Sequence, residues 1–271
     1  MPEPRRRGRP RAFHDKTAEN TIQSLDRALT ILDALAGEGG IGLSALAQKL
    51  DQSPATVYRV LTTFQGRGIV ELDPATQGWH IGPGAFLVGS AFLRRTSVVE
   101  RARPVLRALM EASGETANLG IARSDAVLFL SQVETHASIR AFFPPGTQSP
   151  LHASGIGKAL LACYDADRLT AYLDRAELVR FTEATLADAA ALQADLQATR
   201  ARGYAFDNEE RNAGMRCVAA AVLDAFGEPV AGISVSGPAA RMPVAGMERI
   251  GRIVADAAAR LSEGLGARPP G

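Results

Sequence analysis

Cysteine is scarce in this chain of 271 residues, and long apolar runs are missing from it. Two cysteines cannot form a disulfide framework or fill a four-ligand zinc site by themselves. No apolar run approaches the ~20 residues of a membrane-spanning helix, and no apolar stretch of a secretory signal follows the N-terminus. We therefore expect a cytoplasmic protein without membrane contact. Aromatic residues reach only 6%, but hydrophobic residues make up 46%, which suffices for one large or two ordinary domains and excludes wholesale disorder.

A net charge of either sign is also nearly absent, because 30 Lys and Arg face 29 Asp and Glu. The charge is unevenly spread: residues 1–70 hold ten basic and seven acidic residues, whereas the remaining 201 hold 20 and 22. The excess lies in an acid-free run containing Arg5, Arg6, Arg7, Arg9 and Arg11. We predict that residues 1–20 form a disordered basic arm suited to an A·T-rich minor groove. Taken alone, the arm is equally consistent with a solubilising tail.

A compact helical unit is predicted after the arm, over residues 21–82. Apolar spacing indicates one helix ending near Leu35, a second over 44–50 and a third that starts at Pro54 with Ser53 as its cap. A short helix, a tight turn and a helix with a polar outer face form the helix-turn-helix pattern, and residues 69–81 are typical of a hairpin wing. The alternative is a helical bundle with an incidental hairpin. The predicted DNA contacts outside the arm are Ser53, Ala55, Thr56, Tyr58, Arg59, Thr62, Trp79 and His80.

The rest of the chain predicts an apolar linker helix at 83–97, one α+β domain at 98–265 and a tail at 266–271. Strands are expected at 117–122, 127–132, 138–143, 203–206, 217–223 and 230–235. Helices are expected at 98–113, 155–163, 165–173, 186–202 and 244–265.

Enzyme motifs are incomplete in this sequence. A phosphate-binding loop around Lys158 would need glycine where His152 stands and a hydroxyl where Ala159 stands. The serine motif around Ser234 lacks its final glycine. The four histidines show no metal-ligand spacing, and a catalytic cysteine would have only His136 or His152 as its base. We therefore expect no enzyme and no metal or other cofactor.

A binding pocket agrees better with the C-terminal sequence. Gly155 and Gly157 open a helix whose first N–H groups suit a small carboxylate, although these glycines are equally expected for close packing alone. Ser234 and Ser236 lie on the same side of a strand and face either solvent or a pocket. Asp207 and Cys217 can add an acid and a thiol to such a pocket. The alternative is that Asp207 is an ordinary turn residue and Cys217 a small core residue.

Five segments, taken together and in this order, resemble IclR-type bacterial transcriptional regulators. They are residues 24–32 (SLDRALTIL), 53–61 (SPATVYRVL), 151–161 (LHASGIGKALL), 214–220 (GMRCVAA) and 233–238 (ISVSGP), and the resemblance covers about residues 21–265. It implies a winged helix-turn-helix, a linker helix and a GAF-like α/β effector-binding domain in a homodimer or homotetramer. The implied function is a repressor or dual regulator of a catabolic operon, bound to a pseudo-palindromic double-stranded DNA operator.

The resemblance also implies an effector site, because some family members bind short oxoacids such as glyoxylate or pyruvate. Its polar part would be Gly155, Ile156, Asp207, Cys217, Ser234 and Ser236, with Met215 and Ala141 as its apolar wall. Asn208, Arg211 and Asn212 interrupt an acidic segment and alter the shape or charge near the mouth. Since aromatic residues are few, we expect a two- or three-carbon acid. The alternatives are an aromatic acid, a non-sensing architectural DNA binder, or an enzyme with an appended DNA-binding module.

Overall fold

The structure is a computed structural model that describes residues 21–95 and 97–267. The chain divides into two compact units, Met1–Arg95 and Thr96–Gly271, and each is described by itself. The predicted basic arm lies outside the described residues. So does the predicted tail beyond residue 267.

The N-terminal unit consists of helices around a small antiparallel sheet. Its elements are α1 (Gln23–Ala36), β1 (Ile41–Gly42), α2 (Leu43–Lys49), α3 (Pro54–Gln65), β2 (Val70–Leu72), β3 (Gly78–Ile81) and α4 (Pro83–Arg95). The strands lie in the order β1-β3-β2. The unit is the predicted winged helix-turn-helix, with α2 and α3 as its paired helices and β2–β3 as its wing. The sequence does not predict β1, because two residues are too few to show alternation.

The start of α3 follows from local chemistry. The Ser53 side chain accepts a hydrogen bond from the backbone N–H of Thr56 at 3.2 Å, and Pro54 takes the first helical position. The helix buries Val57 and Leu61 against apolar residues of α1, α2 and the wing. Because these two side chains fix the rotation of α3, its opposite side remains exposed.

The apolar residues of α1 are buried only in part. Ile31 and Leu35, in the second half of the helix, are fully buried in the unit's core. Ile22, Leu25 and Leu29 remain exposed, because the core contacts of α1 are confined to its C-terminal half.

The C-terminal unit is a six-stranded antiparallel sheet with helices on both faces. Its strands are β4 (Thr116–Arg123), β5 (Ala126–Val133), β6 (Gln148–Pro150), β7 (Ala205–Asn208), β8 (Met215–Leu223) and β9 (Pro229–Pro238), in the order β6-β5-β4-β9-β8-β7. Helices α5 (Ser97–Ser113) and α9 (Val244–Gly264) pack against one face. Helices α6 (Gly155–Ala162), α7 (Ala166–Arg175) and α8 (Ala189–Arg202) pack against the other. The unit is the predicted α+β, GAF-like domain.

Alternate residues of β8 separate the two cores. Val218, Ala220 and Val222 join the core under α5 and α9, whereas Cys217 and Ala219 join the core under α6 to α8. This is the period of two that a strand imposes on its side chains. The odd-numbered positions of β8 are therefore the ones that can contact the start of α6.

The predicted strand at 138–143 is wrong. This segment runs without strand pairing, and side chains of the sheet satisfy its backbone instead. The carbonyl oxygen of Ala141 accepts from the Thr116 hydroxyl at 3.2 Å and from Nε2 of Gln132 at 3.3 Å, while Oε1 of Gln132 accepts from the N–H of Phe143. The edge position beside β5 is taken by β6, which the sequence does not predict.

Two predicted boundaries also shift, each for a capping reason. Helix α8 begins at Ala189 rather than 186, because the Asp188 side chain accepts from the N–H of Ala191 at 2.9 Å. Strand β7 begins at Ala205 rather than 203, because Gly203 ends α8 in the left-handed conformation with φ 81°. As a result Asp207 lies within β7, opposite Cys217 of β8.

Candidate functional site

A small cavity opens in the C-terminal unit beside the first turn of α6. The cavity volume is about 30 Å³. Seven of the eight predicted effector-site residues line it: Gly155, Ile156, Asp207, Met215, Cys217, Ser234 and Ser236. The other lining residues are Phe129, Phe143, Ser149, Ser154, Arg211, Asn212 and Arg216.

The first turn of α6 lies directly on strand β8. Ser154 caps the helix by accepting from the N–H of Gly157 at 3.0 Å, and its carbonyl oxygen accepts from the N–H of Lys158. The N–H of Gly155 points to the sulfur of Cys217. For the N–H of Ile156, the described chain offers no acceptor. This group is therefore available to a ligand at the positive end of the helix.

The glycines also serve close packing, which was the alternative interpretation. A Cβ on Gly155 would lie 2.7 Å from Sγ of Cys217, and a Cβ on Gly157 would collide with the backbone of Leu151. Both interpretations hold together, because the close approach is what brings the first turn of α6 to the cavity wall.

The two serines of β9 face the protein interior. Ser234 and Ser236 are buried, and both hydroxyl oxygens accept hydrogen bonds from Nδ2 of Asn118, at 3.2 and 3.3 Å. Because each oxygen is used as an acceptor, each hydroxyl hydrogen can be donated into the cavity. Sequence reasoning missed Asn118. Its signal is a single amide side chain between the apolar residues Ala117 and Leu119 of β4.

Asp207 and Cys217 are neighbours on the paired strands β7 and β8, and both line the cavity. Burial raises the pKa of Asp207 to about 6. The hydrogen bond from the N–H of Glu210, at 2.9 Å, and the nearby charges of Lys158 and Arg211 act in the opposite direction but do not cancel the effect of burial. Burial, together with the neighbouring Asp207, raises the pKa of Cys217 to about 12. The thiol is therefore protonated at neutral pH and is not an activated nucleophile.

The apolar part of the cavity differs from the prediction. Met215 lines the cavity as predicted. The prediction for Ala141 is wrong: this residue is not in the lining, because its carbonyl oxygen is held against the sheet by hydrogen bonds from Thr116 and Gln132. Its place is taken by Phe129 and Phe143, whose stacked rings have centroids 4.9 Å apart. The cavity therefore has more aromatic surface than the sequence predicts. The sequence does not single out these two phenylalanines, because a phenylalanine in such a segment is ordinarily a core residue.

Behind α6 lies a buried cluster of charges. Nζ of Lys158, which is fully buried, lies 2.6 Å from Oε1 of Glu210 and 3.0 Å from Oδ2 of Asp195. Burial raises the pKa of Glu210 to about 7, although Lys158 opposes the rise. The cluster ties α6 to α8 and to the segment that follows β7, so it holds the helix whose first turn forms the cavity wall.

Four of the six DNA contacts predicted at α3 share its exposed face. Ala55, Tyr58, Arg59 and Thr62 are exposed and lie on the side away from the buried Val57 and Leu61. Ser53 is the exposed cap of the helix, and Thr56 is half-buried in its first turn. They remain a prediction as DNA contacts.

The two contacts predicted in the wing are both withdrawn from the surface to some extent. The prediction that Trp79 contacts DNA needs correction. This residue is only 3% exposed and forms part of the core of the N-terminal unit, so its ring is not at the surface. Its neighbour His80 is half-buried, with its ring packed against the backbone at Gly40.

Within residues 21–95 and 97–267, no helix is long and apolar enough to cross a membrane. The same residues contain no group of three His, Cys, Asp or Glu side chains that could hold a metal ion.

Comparisons with known proteins agree with both units. The family models described as "IclR helix-turn-helix domain" and "Bacterial transcriptional regulator IclR C-terminal" match residues 24–74 and 90–263. The HTH-type transcriptional regulator BhcR of Paracoccus denitrificans is 57% identical over 97% of this chain and 96% of its own. The transcriptional repressor IclR of Escherichia coli is 39% identical over 98% of each. The crystal structure of Thermotoga maritima IclR matches with a TM-score of 0.76 at 29% identity, over 91% of this chain and 100% of its own.

The winged helix-turn-helix of one unit and the family models that match both units define the chain as a transcriptional regulator. More particularly, it belongs to the IclR family of bacterial regulators, whose members bind DNA operators and oligomerise.

Proposed function

We propose that this regulator controls a catabolic operon in response to a two- or three-carbon carboxylic acid, such as glyoxylate or pyruvate, bound in the cavity beside α6. The observation that carries the proposal is the cavity's combination of small size and inward-facing hydrogen-bond donors. Binding of the acid would change the affinity for the operator, which requires the acid to bind one arrangement of the protein more tightly than the other. A coupling of about 1–3 kcal/mol is typical.

Size favours a small acid over an aromatic one. The cavity volume, about 30 Å³, is only a few times the ~10–15 Å³ that holds one water molecule. A two- or three-carbon acid fits this space with little rearrangement, whereas a ring would have to separate the walls. The stacked Phe129 and Phe143 would be the walls to move, so an aromatic effector is the alternative that the test below must include.

The donors suit a carboxylate and its adjacent oxygen. They are the N–H of Ile156 at the positive end of α6 and the hydroxyls of Ser234 and Ser236. Further support comes from a relative that is 38% identical over 98% of each chain, which is named the acetate operon repressor of Salmonella typhimurium. That name connects a related chain with small-acid metabolism.

The DNA-binding part of the proposal is a homodimer or homotetramer on a pseudo-palindromic operator. The exposed face of α3 would enter the major groove, and the basic arm would follow the adjacent minor groove. Exposed apolar residues at two helices of the N-terminal unit support self-association. They are Leu25 and Leu29 on α1 with Ile22 just before it, and Phe86, Leu87 and Val88 on α4. Apolar side chains of this size, clustered on helices, are typical of an interaction surface.

Titration of the purified protein against its own promoter region tests the sensor. We expect the DNA-binding midpoint to shift with glyoxylate or pyruvate, but not with benzoate, and the shift to be lost in the Ser234→Ala and Ser236→Ala double variant. A shift with benzoate alone would favour the aromatic alternative. Binding that no acid changes, together with no heat of acid binding in calorimetry, would leave an architectural DNA binder.

Deletion of residues 1–12 tests the arm. Each phosphate contact contributes roughly −0.9 to the slope of log affinity against log salt concentration. We expect the deletion to weaken operator binding and to reduce that slope. An unchanged slope would assign the arm a solubilising role.

A further inference from the structure

Two arginines line the cavity, and they differ in how their charges are used. The Arg216 guanidinium donates to Oδ1 of Asn208 at 2.7 Å, to Oε1 of Glu209 at 2.9 Å and to the carbonyl oxygens of Ala239 and Met242. Its charge and most of its donors are therefore committed to the protein. Arg216 holds the cavity wall together and has little left to offer a ligand.

The Arg211 side chain has no such commitment. Its Cζ lies 3.9 Å from the centroid of the Phe181 ring, and the described residues provide it with no ion pair and no side-chain hydrogen bond. A guanidinium stacked on a ring keeps its N–H donors at the edge of its plane, where they can still bind a carboxylate. Arg211 is therefore a cation at the cavity with its donors unused.

The backbone that carries Arg211 is firmly held. The preceding residue, Glu210, is fixed through its N–H to Asp207 at 2.9 Å and through its carbonyl oxygen to the Thr185 hydroxyl at 2.6 Å. The same hydroxyl accepts from the N–H of Phe181 at 3.0 Å. Ring and arginine thus belong to two segments joined at Thr185, and the guanidinium is positioned before any ligand arrives.

The cavity also needs this charge. Asp207 supplies a carboxylate to the lining, and a second carboxylate from a ligand would be repelled unless a cation stood nearby. The N–H and hydroxyl donors of α6 and β9 are neutral and do not offset a full negative charge. Arg216 is engaged by Glu209. Arg211 acts on Asp207 through its charge but forms no ion pair with it, so it is the lining cation that can still pair with a carboxylate.

We propose that Arg211 binds the carboxylate of the effector through its guanidinium, and that it selects free acids over uncharged molecules of the same size. The proposal rests on the proposed function and names the residue that determines its ligand class. Arginine suits this task because its paired N–H groups match the two oxygens of a carboxylate.

Calorimetry on the full-length protein tests the assignment, with sodium glyoxylate and its uncharged amide, 2-oxoacetamide, as probes. Charge-assisted hydrogen bonds contribute about 1.5–3 kcal/mol, so Arg211→Gln should weaken glyoxylate binding by roughly 10- to 150-fold. The ratio of the affinity for glyoxylate to the affinity for 2-oxoacetamide should be smaller in this variant than in the wild type. Arg211→Lys keeps the charge but not the paired donors, and should weaken binding by a smaller factor, about 3- to 10-fold.

The matched control is Arg168→Gln. Its guanidinium also stacks on a ring of the same unit, 3.7 Å from the centroid of Tyr164, but it is not part of the cavity lining. We expect it to bind glyoxylate like the wild type. A melting curve and operator affinity without acid identify any variant that does not fold.

The outcomes separate the two proposals. Glyoxylate affinity in Arg211→Gln within twofold of the wild type would overturn the role of Arg211 and leave the sensor intact. If Arg211→Gln does not fold, a glyoxylate affinity of Arg211→Lys equal to that of the wild type would overturn the role of Arg211 instead. A wild type that binds none of the acids would overturn the proposed function and, with it, this assignment.

Discussion

The sulfur of Cys217 occupies the space in which a side chain on Gly155 would begin, 2.7 Å from the position of its absent Cβ. The first turn of α6 therefore touches β8 without an intervening side chain. This contact places the N–H of Ile156 and the hydroxyls of β9 on the walls of one cavity.

Gly155→Ala should force α6 away from β8 and remove acid binding. Overpacking of this kind typically costs about 1–3 kcal/mol of unfolding free energy. Cys217→Ala in the same chain should restore much of the loss, because the nearest remaining side-chain atom is then Cβ of Ala219, at 3.3 Å. Denaturant unfolding and calorimetry measure both effects.

Gly246→Ala in α9 is the control for this pair, because the nearest atom to its added Cβ is 3.7 Å away. We expect no loss of stability there. Additive effects of Gly155→Ala and Cys217→Ala would contradict the contact.

Asp207→Asn should stabilise the C-terminal unit at neutral pH and leave it unchanged in acid. The pKa of Asp207 in the folded protein, about 6, lies above the ordinary value of about 4, because the fold favours the protonated acid. The contribution of Asp207 to the free energy of unfolding is therefore complete below pH ~4 and is lost as the pH rises through ~6. At pH 7.5 the gain from asparagine should be on the order of 1–3 kcal/mol. Urea unfolding at pH 4 and 7.5 measures the difference.

Part of the pH dependence should survive in Asp207→Asn. The pKa of Glu210 is also raised, to about 7, and Lys158 and Arg211 face the same region. A stability difference between Asp207→Asn and the wild type that stays constant from pH 4 to 7.5 would show that burial does not raise the pKa of Asp207.

Lys158→Met should be among the most damaging changes in the C-terminal unit. It would leave the carboxylates of Glu210 and Asp195 without their buried cation, and loss of one partner from a buried pair typically costs 3–5 kcal/mol. Adding Glu210→Gln should recover part of the loss. The exposed pair Arg252–Glu248 is the comparison, since Arg252→Met should not change the melting temperature measurably. Equal effects at the two sites would contradict a buried cluster.

Trp79→Ala should abolish operator binding by unfolding the N-terminal unit, because truncating a buried tryptophan costs about 3–5 kcal/mol. Trp79→Phe should melt somewhat earlier but bind the operator normally. Arg59→Ala should do the opposite, weakening operator binding without changing the melt. If Trp79→Phe lost operator affinity at full stability, the ring would be a DNA contact after all.

Sequence reasoning was most successful where the determinant is local. Ser53 and Pro54 predict the start of α3, because a cap and its first helical residue depend on neighbours along the chain. It was least successful where partners are distant. The segment around Ala141 has strand-like composition, but Thr116 and Gln132 satisfy its backbone, and nothing in the local pattern indicates them.

The cavity illustrates the same limit. Resemblance to the family indicated Ser234 and Ser236, yet Asn118, which orients both hydroxyls, lies more than a hundred residues earlier. Arg211 was noticed only as a departure from an acidic segment. Its position over Phe181 depends on hydrogen bonds through Thr185 that no spacing rule predicts.

The pairing of β4 with β9 has a consequence for synthesis of the protein. The first strand of the C-terminal unit pairs with residues 232–236 of its last strand, so the ribosome must pass that segment before the central strand pair can form. Contacts so distant along the chain form slowly. The winged helix-turn-helix, whose core lies between residues 31 and 79, needs no such wait. We expect nascent or prematurely terminated chains to fold their DNA-binding unit while lacking an effector cavity, so that only a finished chain can be switched.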